Sequence, residues 1–227
     1  MLVVDKRVPE RCVIVEEPEV AEILSSFITV NEEIRKRGFL IYIGERKGEK
    51  IVISTHGVGG PSVSLILNEL IKNGAKLVLR YGTAGALNEK VKVGSYFIPI
   101  GVSHHESSSL YQMLRQDIIP ALSPDLELTY RLYSFLKSQG IEVSYGTLFQ
   151  SDDFYSESHL TFDDAVDMES GTIFLLGKVY GVRTASLLII ANYKGENWIN
   201  YEEIYRRDAG KVIDFMISFN YSELPTR

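Results

Sequence analysis

The stretch from Ile51 to Gly85 constrains the fold more than any other part of the chain. It contains two apolar runs of strand length, Ile51 to Ser54 and Leu77 to Leu79, and each is followed directly by a glycine-rich segment. Between the runs, Pro61 stands where a helix can begin, and apolar residues repeat at helical spacing up to Asn73-Gly74. The pattern predicts a strand, a helix and a second strand in that order.

Such a unit normally makes two parallel strands with a right-handed crossover, so both glycine-rich segments are expected as turns at one carboxyl edge of a sheet. Open α/β sheets bind ligands at that edge. In the first segment, Gly57, Gly59 and Gly60 let the backbone approach a ligand beside a helix start. In the second, Arg80 and Thr83 offer a cation and a hydroxyl to one anion. A purely structural interpretation also fits, with tight turns and a paired Arg80.

Further strands and helices are predicted along the rest of the chain. Strands are expected at Cys12–Val15, Leu40–Gly44, Lys50–Thr55, Val93–Val102, Val143–Phe149, Ala165–Met168 and Leu187–Ala191. Helices are expected at Ala21–Phe27, from Ser123-Pro124-Asp125 to Gly140, at Ser170–Val179 and at Tyr201–Phe219.

Three motifs in this order carry a resemblance to a known family. The chain contains HGVGGPS at 56–62, RYGTAG at 80–85 and VDMESGTIF at 166–174. Together they resemble the nucleoside phosphorylases, a family that includes hexameric purine nucleoside, methylthioadenosine and uridine phosphorylases. The resemblance extends from about Arg11 to about Phe219 and implies an α/β fold. We expect a single domain over residues 1–227, a three-layer sandwich with a central mixed, largely parallel sheet.

The resemblance implies phosphorolysis, in which inorganic phosphate releases the base of a nucleoside and leaves ribose 1-phosphate, without a further cofactor. On this chain the family's phosphate-binding positions correspond to Gly57, Gly59, Gly60, Arg80 and Thr83, and to Arg37. The residues implied in catalysis are Arg80, Glu169 and Asn192. The implied partners are a nucleoside, phosphate and further copies of the chain.

Arg37 has a special place in this resemblance. In hexameric members the matching arginine reaches across a dimer interface to the neighbouring subunit's phosphate, and those members are trimers of dimers. An exposed arginine that opens a strand is an equally good interpretation of Arg37-Gly38-Phe39-Leu40.

The nucleoside itself is expected to contact a second set of residues. Glu169 corresponds to the glutamate that grips the ribose hydroxyls, and a carboxylate can accept hydrogen bonds from a vicinal diol. Met168 would lie against the sugar, and Asp167 replaces a glutamate of the family. Glu169 also fits a plain acid at a helix start. Phe154, with Tyr155 behind it, corresponds to the aromatic residue along the base, together with Asn192.

The chain departs from the family in its first turn and at its base-binding positions. The turn reads EEPEV where phosphorylases usually have Gly-Asp-Pro-x-Arg, so Glu16 replaces glycine and Val20 replaces a phosphate-binding arginine. The added carboxylate would repel a dianion. Asn192 stands where purine-cleaving members protonate the base with aspartate, which an amide cannot do. Ser158 and Leu160 replace the glutamine and arginine with which uridine phosphorylases read uracil.

These departures leave two alternatives open. The first is a nucleosidase, which hydrolyses the same bond, with Glu16, Glu17 or Glu19 as the general base. The second is a nucleoside-binding paralogue that has lost catalysis.

Composition narrows the class of protein. A net charge of −6 and a pI near 5.3 argue against a nucleic-acid binder. The single Cys12 excludes an internal disulfide and is expected to be a buried apolar residue. Without a signal peptide or a membrane-length apolar run, a cytoplasmic protein is expected. His104, His105 and Glu106 lack a zinc spacing, so no metal is predicted and they are assigned to a loop near the pocket.

Overall fold

The computed structural model describes residues 2–106, 108–114, 120–159 and 162–220. Leu160 and the side chain of Ser158, two of the positions compared with uridine phosphorylases, lie outside the described residues.

The described chain contains both strands and helices, in mixed order. The strands are β1 (Arg11–Val15), β2 (Thr29–Lys36), β3 (Phe39–Arg46), β4 (Glu49–Thr55), β5 (Leu77–Ala86), β6 (Tyr96–His104), β7 (Val143–Gln150), β8 (Ala165–Asp167) and β9 (Arg183–Tyr193). The helices are α1 (Pro18–Ser25), α2 (Gly60–Lys72), α3 (Ser109–Leu114), α4 (Leu126–Ser138), α5 (Ser170–Tyr180) and α6 (Glu202–Ser218), and a short 3-10 helix covers Phe154–His159.

The strands form one mixed sheet in the order β2-β3-β4-β1-β5-β8-β7-β6-β9, and β9 pairs back onto β5. The five strands from β5 to β9 therefore close into a barrel, from which the other four extend as an open sheet. Parallel pairs join β1 to β4 and β5, β5 to β9, and β7 to β6 and β8. Antiparallel pairs join β2 to β3, β3 to β4, β5 to β8 and β6 to β9. The predicted mixed, mainly parallel sheet is confirmed, whereas its closure was not predicted.

Both faces of the sheet are buried under helices, which gives the predicted three layers. Along β1, Val13 and Val15 face a core shared with α1, α4 and α6, whereas Cys12 and Ile14 face a second core shared with α2 and α5. Burial of Cys12 is as predicted, and the apolar surroundings raise the pKa of its thiol. No helix among the described residues has the length and apolar character needed to cross a bilayer.

The predicted strand–helix–strand unit is present as β4, α2 and β5, with β1 lying between the two strands and parallel to both. One part of the prediction is wrong. The segment RYGTAG is not a turn, because it continues β5 and pairs with β9 from Arg80↔Ser186 to Gly85↔Asn192. Its glycines provide room instead. A Cβ on Gly82 would lie 2.6 Å from the guanidinium carbon of Arg80, and one on Gly85 would lie 2.8 Å from Oδ1 of Asn192.

Two further local expectations needed correction. Strand β2 was not predicted, because its residues, TVNEEIRK, are polar and mostly exposed at the sheet edge. Helix α4 begins at Leu126, and Asp125 is its N-cap rather than a first-turn acid, with Oδ1 accepting a hydrogen bond from Leu128 N at 2.9 Å.

The packing of α5 on β9 gives a stability prediction. A Cβ on Gly177 would lie 2.6 Å from Thr184 Oγ1 and 2.9 Å from the carbonyl oxygen of Val182. We expect Gly177→Ala to lower the free energy of unfolding by about 1–3 kcal/mol, the usual cost of overpacking, in a urea titration. Gly101→Ala is the control, because its nearest neighbour is Leu122 O at 4.0 Å. Equal stability of the two variants would contradict the described packing.

Candidate active site

A cavity of about 180 Å³ lies where β1, β4, β5 and β9, which run in the same direction, approach their carboxyl ends. Its walls are supplied by the segments that follow β1, β4, β7, β8 and β9, together with residues near the ends of β5, β8 and β9 themselves. The lining residues are Glu16, Glu17, Val58, Thr83, Ala84, Gly85, Phe154, Val166, Asp167, Met168, Glu169, Asn192, Trp198 and Tyr201.

Beneath the cavity lies the guanidinium of Arg80, which is completely buried. Nη2 donates to Glu169 Oε2 at 2.6 Å and to a carboxylate oxygen of Glu16, and Nη1 lies 3.3 Å from Asp167 Oδ2. One cation is therefore shared by three carboxylates, which leaves two negative charges uncompensated when all three acids are ionised.

Glu16 holds the groups that were predicted to bind phosphate. Besides its ion pair with Arg80, its carboxylate accepts from Thr83 N at 3.1 Å and lies 3.3 Å from Thr83 Oγ1. The backbone N–H of Gly59 likewise donates to Glu169 Oε1 at 2.7 Å. The structure thus brings Arg80, Thr83 and Gly59 together as predicted from the motifs, but each is bonded to a carboxylate of the protein itself.

Asp167 and Glu169 are positioned by the start of α5. Glu169 is the N-cap residue of this helix, and its side chain points to Arg80 and Gly59 rather than capping. Asp167 accepts from Glu169 N at 3.2 Å and from Ser170 Oγ at 2.5 Å. Because Asp167 bonds to the backbone beside Glu169 and to Arg80, we interpret it as a residue that orients the other two.

Burial shifts the proton affinities of this cluster. Desolvation raises the pKa of Glu169 to about 8 against the opposing effect of Arg80, with Asp167 and Glu16 adding to the rise. Desolvation also raises the pKa values of Glu16 and Asp167, although Arg80 opposes it. For Arg80 desolvation alone would lower the pKa, but the carboxylates, Glu16 foremost, raise it. Arg80 therefore stays charged while a carboxylate of the cluster takes up a proton.

His56 lies at the end of β4 and is fully buried. Burial, with Arg80 as the second cause, lowers the pKa of its imidazole well below the usual value, so the ring is neutral. Its Nδ1 lies 2.6 Å from the carbonyl oxygen of Gly57 and therefore carries the proton.

Asn192, near the end of β9, is only 1% exposed and lines the cavity. Its Oδ1 accepts from Gly195 N at 2.8 Å, which fixes the orientation of the amide. Within the described part of the chain its NH₂ group donates to no protein acceptor. The side chain is therefore able to donate a hydrogen bond to a ligand in the cavity.

Two aromatic rings form one wall. Phe154 and Trp198 lie with ring centroids 5.8 Å apart and planes inclined by 37°. Tyr155 packs edge-on against Phe154 at 5.2 Å, but it is 90% exposed and does not line the cavity. Across the cavity mouth, Tyr201 donates its hydroxyl hydrogen to Glu17 Oε1 at 2.9 Å.

The other predicted residues are distributed as follows. Met168 lines the cavity. Gly57 and Gly59 have positive φ, 68° and 87°, which favours glycine in this turn. Gly60 begins α2 and packs against Thr172 rather than lining the cavity. Arg37 lies in the exposed β2–β3 turn, with φ 54°, away from the cavity of its own chain.

The predicted loop histidines do not reach the cavity either. His104 ends β6, where its Nδ1 lies 2.9 Å from Ser108 Oγ. The ring of His105 packs edge-on against Phe149, 5.3 Å away. In the described part of the chain no group of three or more His, Cys, Asp or Glu side chains is arranged so that it could hold a metal ion.

Sequence reasoning missed Trp198, Tyr201 and Val58 as cavity residues. Trp198 carried a usable signal, since it is the only tryptophan of the chain and stands in the polar segment KGENWIN, where no core is expected. Tyr201 was assigned only to the start of the last helix, and its contact with Glu17 spans 184 residues, so no local pattern indicates it.

Comparisons with known proteins agree with the motifs. The model of the phosphorylase superfamily matches residues 10–218. The chain is 30% identical over 168 residues to a DeoD-type purine nucleoside phosphorylase of Clostridium novyi, over 69% of this chain and 70% of that protein. It is 30% identical over 206 residues to one of an Exiguobacterium species, over 87% and 84% of the two chains. The crystal structure of purine nucleoside phosphorylase from Toxoplasma gondii in complex with immucillin-H shares the fold, with a TM-score of 0.77, 21% identity and coverage of 95% and 94%.

The raised pKa of Glu169 predicts how stability depends on pH. Between pH 6.5 and about 8 the folded protein keeps a proton on Glu169 that the unfolded chain has lost, because the unperturbed value is 4.5. His56 is neutral in the folded protein, but in the unfolded chain it still binds about half a proton at pH 6.5, so it opposes this effect until about pH 7.5. We therefore expect the free energy of unfolding to fall as pH rises from about 7.5 through the pKa of Glu169, and Glu169→Gln to flatten the slope.

Urea titrations at constant ionic strength, at intervals across this window, measure the slope. Glu89→Gln is the control, since Glu89 is exposed and makes no described contact with Arg80 or the three acids around it. A stability that rises with pH in the wild type, or an unchanged slope in Glu169→Gln, would show that Glu169 carries no extra proton.

Proposed function

The chain belongs to the phosphorylase superfamily, which includes the nucleoside phosphorylases, and on that premise we propose that it cleaves the N-glycosidic bond of a nucleoside by phosphorolysis. The products are the free base and ribose 1-phosphate. The observation that carries this proposal is the shared cavity. It connects Thr83 and Glu169, both bonded into the Arg80 cluster, with Phe154 and Asn192. A sugar, a base and an oxyanion fit these three kinds of partner.

Glu169 is suited to the ribose. Each of its oxygens accepts one hydrogen bond, from Gly59 N and from Arg80. In the protonated form, which the raised pKa favours below about pH 8, the carboxyl group keeps one O–H donor and one further acceptor position on its carbonyl oxygen. These two groups remain for the two hydroxyls of a vicinal diol. The apolar side chain of Met168 on the same wall offers a surface to the ring of the sugar.

Asn192 and Phe154 are suited to the base. Phe154 offers a ring for stacking, which tolerates any base. The NH₂ group of Asn192 donates a hydrogen bond but cannot transfer a proton, so a neutral base must depart as an anion or take its proton from water.

Phosphate binding requires that Glu16 give up Arg80 and Thr83. Two like unit charges 4 Å apart repel by about 4 kcal/mol at an effective dielectric constant near 20, so a phosphate dianion and an ionised Glu16 do not share the site. Phosphorolysis therefore proceeds with the Glu16 side chain turned away or protonated. Its raised pKa, caused by burial, favours the protonated form.

The position of Glu16 also favours a second candidate function, hydrolysis. The carboxylate of Glu16, held by Arg80 and Thr83 next to the proposed sugar site, is placed to accept a proton from an attacking water. In that case Glu16 is the general base and the product is free ribose. The family's phosphate-binding arginine, which Val20 replaces in this chain, is then not needed, because no phosphate has to be held.

We further propose that the active form is an assembly of dimers in which Arg37 serves a neighbouring protomer. Its place in an exposed turn, away from the cavity of its own chain, supports this. On this proposal Arg37→Ala weakens phosphate binding without altering the fold of its own protomer.

A nucleoside panel with and without phosphate tests the proposed activity. Purified protein is incubated with purine and pyrimidine nucleosides, and free base, ribose and ribose 1-phosphate are quantified by chromatography. We expect base release that requires phosphate and an equal yield of ribose 1-phosphate. Base release that is independent of phosphate, with free ribose as product, supports hydrolysis. Tight binding without any turnover supports a protein that only binds nucleosides.

Replacing Glu16 separates the two nucleophiles. If phosphate attacks, we expect Glu16→Gly to lower the KM for phosphate about tenfold or more, because a competing negative charge is removed. If water attacks, the same change removes the general base and lowers kcat by about 10²-fold or more. Glu19 is exposed in the first turn of α1 and, unlike Glu16, does not line the cavity, so it is dropped as a candidate base. Glu19→Gln is therefore the control and leaves both constants unchanged. A Glu16→Gly protein with wild-type kinetics under both conditions would exclude both roles.

A further inference from the structure

The wall of the cavity is acidic. Four of its lining residues are Glu16, Glu17, Asp167 and Glu169, and among the described lining residues there is no lysine, arginine or histidine. Arg80 lies beneath the wall with its guanidinium shared by three of these acids, so its charge is already offset. A cation that enters the cavity therefore meets a field of favourable sign, whereas a neutral ligand gains nothing from it.

The same cavity has the aromatic surface that organic cations prefer. Phe154 and Trp198 line it side by side, with Tyr201 close by in sequence and also on the wall. The faces of aromatic rings attract a cation within about 6 Å, and tryptophan does so best. Among the described residues, no lysine or arginine lies over the ring of Phe154 or Trp198, so the faces of these rings remain open to a cation from outside.

Asn192 is a third and independent indication. It is 99% buried, it lines the cavity, and its NH₂ group has no acceptor among the described residues. It can donate to an exocyclic carbonyl oxygen of a ligand. It cannot supply the proton that a neutral purine or pyrimidine needs in order to leave as a neutral base.

From these three observations we infer that the preferred substrate is a nucleoside whose base carries a fixed positive charge at its ring, such as a pyridinium or N7-alkylated purinium riboside. This inference rests on the proposed cleavage of an N-glycosidic bond and narrows it to one class of leaving group. The acidic wall attracts the charged base, the rings of Phe154 and Trp198 stack against it, and Asn192 orients its exocyclic carbonyl.

The chemistry of such a substrate balances without an acid. The bond between C1′ and the ring nitrogen breaks, and its electron pair stays on that nitrogen, which neutralises the positive charge of the base. A phosphate oxygen, or the oxygen of water in the hydrolytic case, forms the new bond to C1′. From monohydrogen phosphate or from water, one proton is released to solvent per turnover. A neutral nucleoside instead consumes that proton at the departing base.

A matched substrate set tests the inference. The probes are the pyridinium riboside of nicotinamide, its 3-carboxylate counterpart with no net charge, 7-methylguanosine, guanosine, inosine and uridine, each with phosphate at pH 7. Base release is followed by chromatography, and proton release by a pH indicator in weak buffer. We expect kcat/KM for the two cationic bases to exceed that for guanosine, inosine and uridine at least about tenfold, which is less than one full charge contact at an effective dielectric constant near 20 would provide. One proton should appear per pyridinium base.

Substitutions at two positions give readouts that a general loss of structure does not. Asn192→Asp keeps the acceptor for Gly195 N and adds a group that can be protonated, so we expect faster cleavage of guanosine and inosine and a smaller preference for cationic bases. Trp198→Leu keeps an apolar wall without a π face and should raise the KM for the cationic bases more than for neutral ones, whereas Trp198→Phe should restore most of the preference.

Binding is observed independently of turnover, because Trp198 is the only tryptophan in the chain and lies on the cavity. Quenching of its fluorescence by the pyridinium riboside at lower concentration than by uridine supports the inference even if turnover is slow. Cleavage of guanosine, inosine or uridine with kcat/KM equal to or above that of the cationic bases overturns the inference and leaves the proposed cleavage intact. Absence of cleavage with every nucleoside, and of quenching by the cationic ones, overturns both.

Discussion

The buried guanidinium of Arg80 is the interaction on which the site depends. A charge without access to water is tolerated only when paired, and here Glu16, Asp167 and Glu169 all reach it. These acids come from the end of β1 and from the junction of β8 with α5, so one cation joins segments that are far apart in the chain. Its side chain needs space above β5, and Gly82 provides it, since a Cβ there would collide with the guanidinium. Removal of the cation would leave three buried carboxylates without compensation.

Much of the fold follows from local patterns. The helices α2 and α5 were predicted within one residue at each end, because each starts at a glycine- or acid-containing turn and is buried along its length. The motif order also predicted that Arg80, Thr83, Glu169 and Asn192 belong to one site. In the structure Thr83, Glu169 and Asn192 line one cavity, and Arg80 binds Glu169 beneath it. The closure of the barrel depends on pairing of β5 with β9, roughly a hundred residues later, for which single strands carry no signal. The placement of Trp198 and Tyr201 depends on the same kind of long-range contact.

Family membership and site chemistry answer different questions in this molecule. The fold and the motif order place the chain among phosphorylases, whereas on the proposed function the choice between phosphate and water depends on which group binds Thr83 and Arg80. A glycine in place of Glu16 would leave Arg80 and two N–H or O–H donors turned toward an incoming anion. With Glu16 present, its carboxylate accepts the hydrogen bonds of these donors instead. Desolvation also favours a protonated acid in the cluster, most clearly at Glu169, whose pKa it raises to about 8. Glu16 and the Arg80 guanidinium that it binds therefore act together, and a change at one alters the charge balance of the other.

The departures from the family pattern are chemically consistent with one another. An amide at position 192 cannot give a leaving base its proton, and the added carboxylate of Glu16 in the cavity wall disfavours anionic character on that base as the C1′–N bond breaks. Either change alone would slow departure of a neutral base. Both are harmless when the base begins as a cation and ends neutral, because the carboxylates then stabilise the bound state and no proton has to arrive. On the proposed function, a cationic base would also offset part of the negative charge that phosphate meets from the acids of the cavity that stay ionised, so binding of the nucleoside would assist binding of the nucleophile.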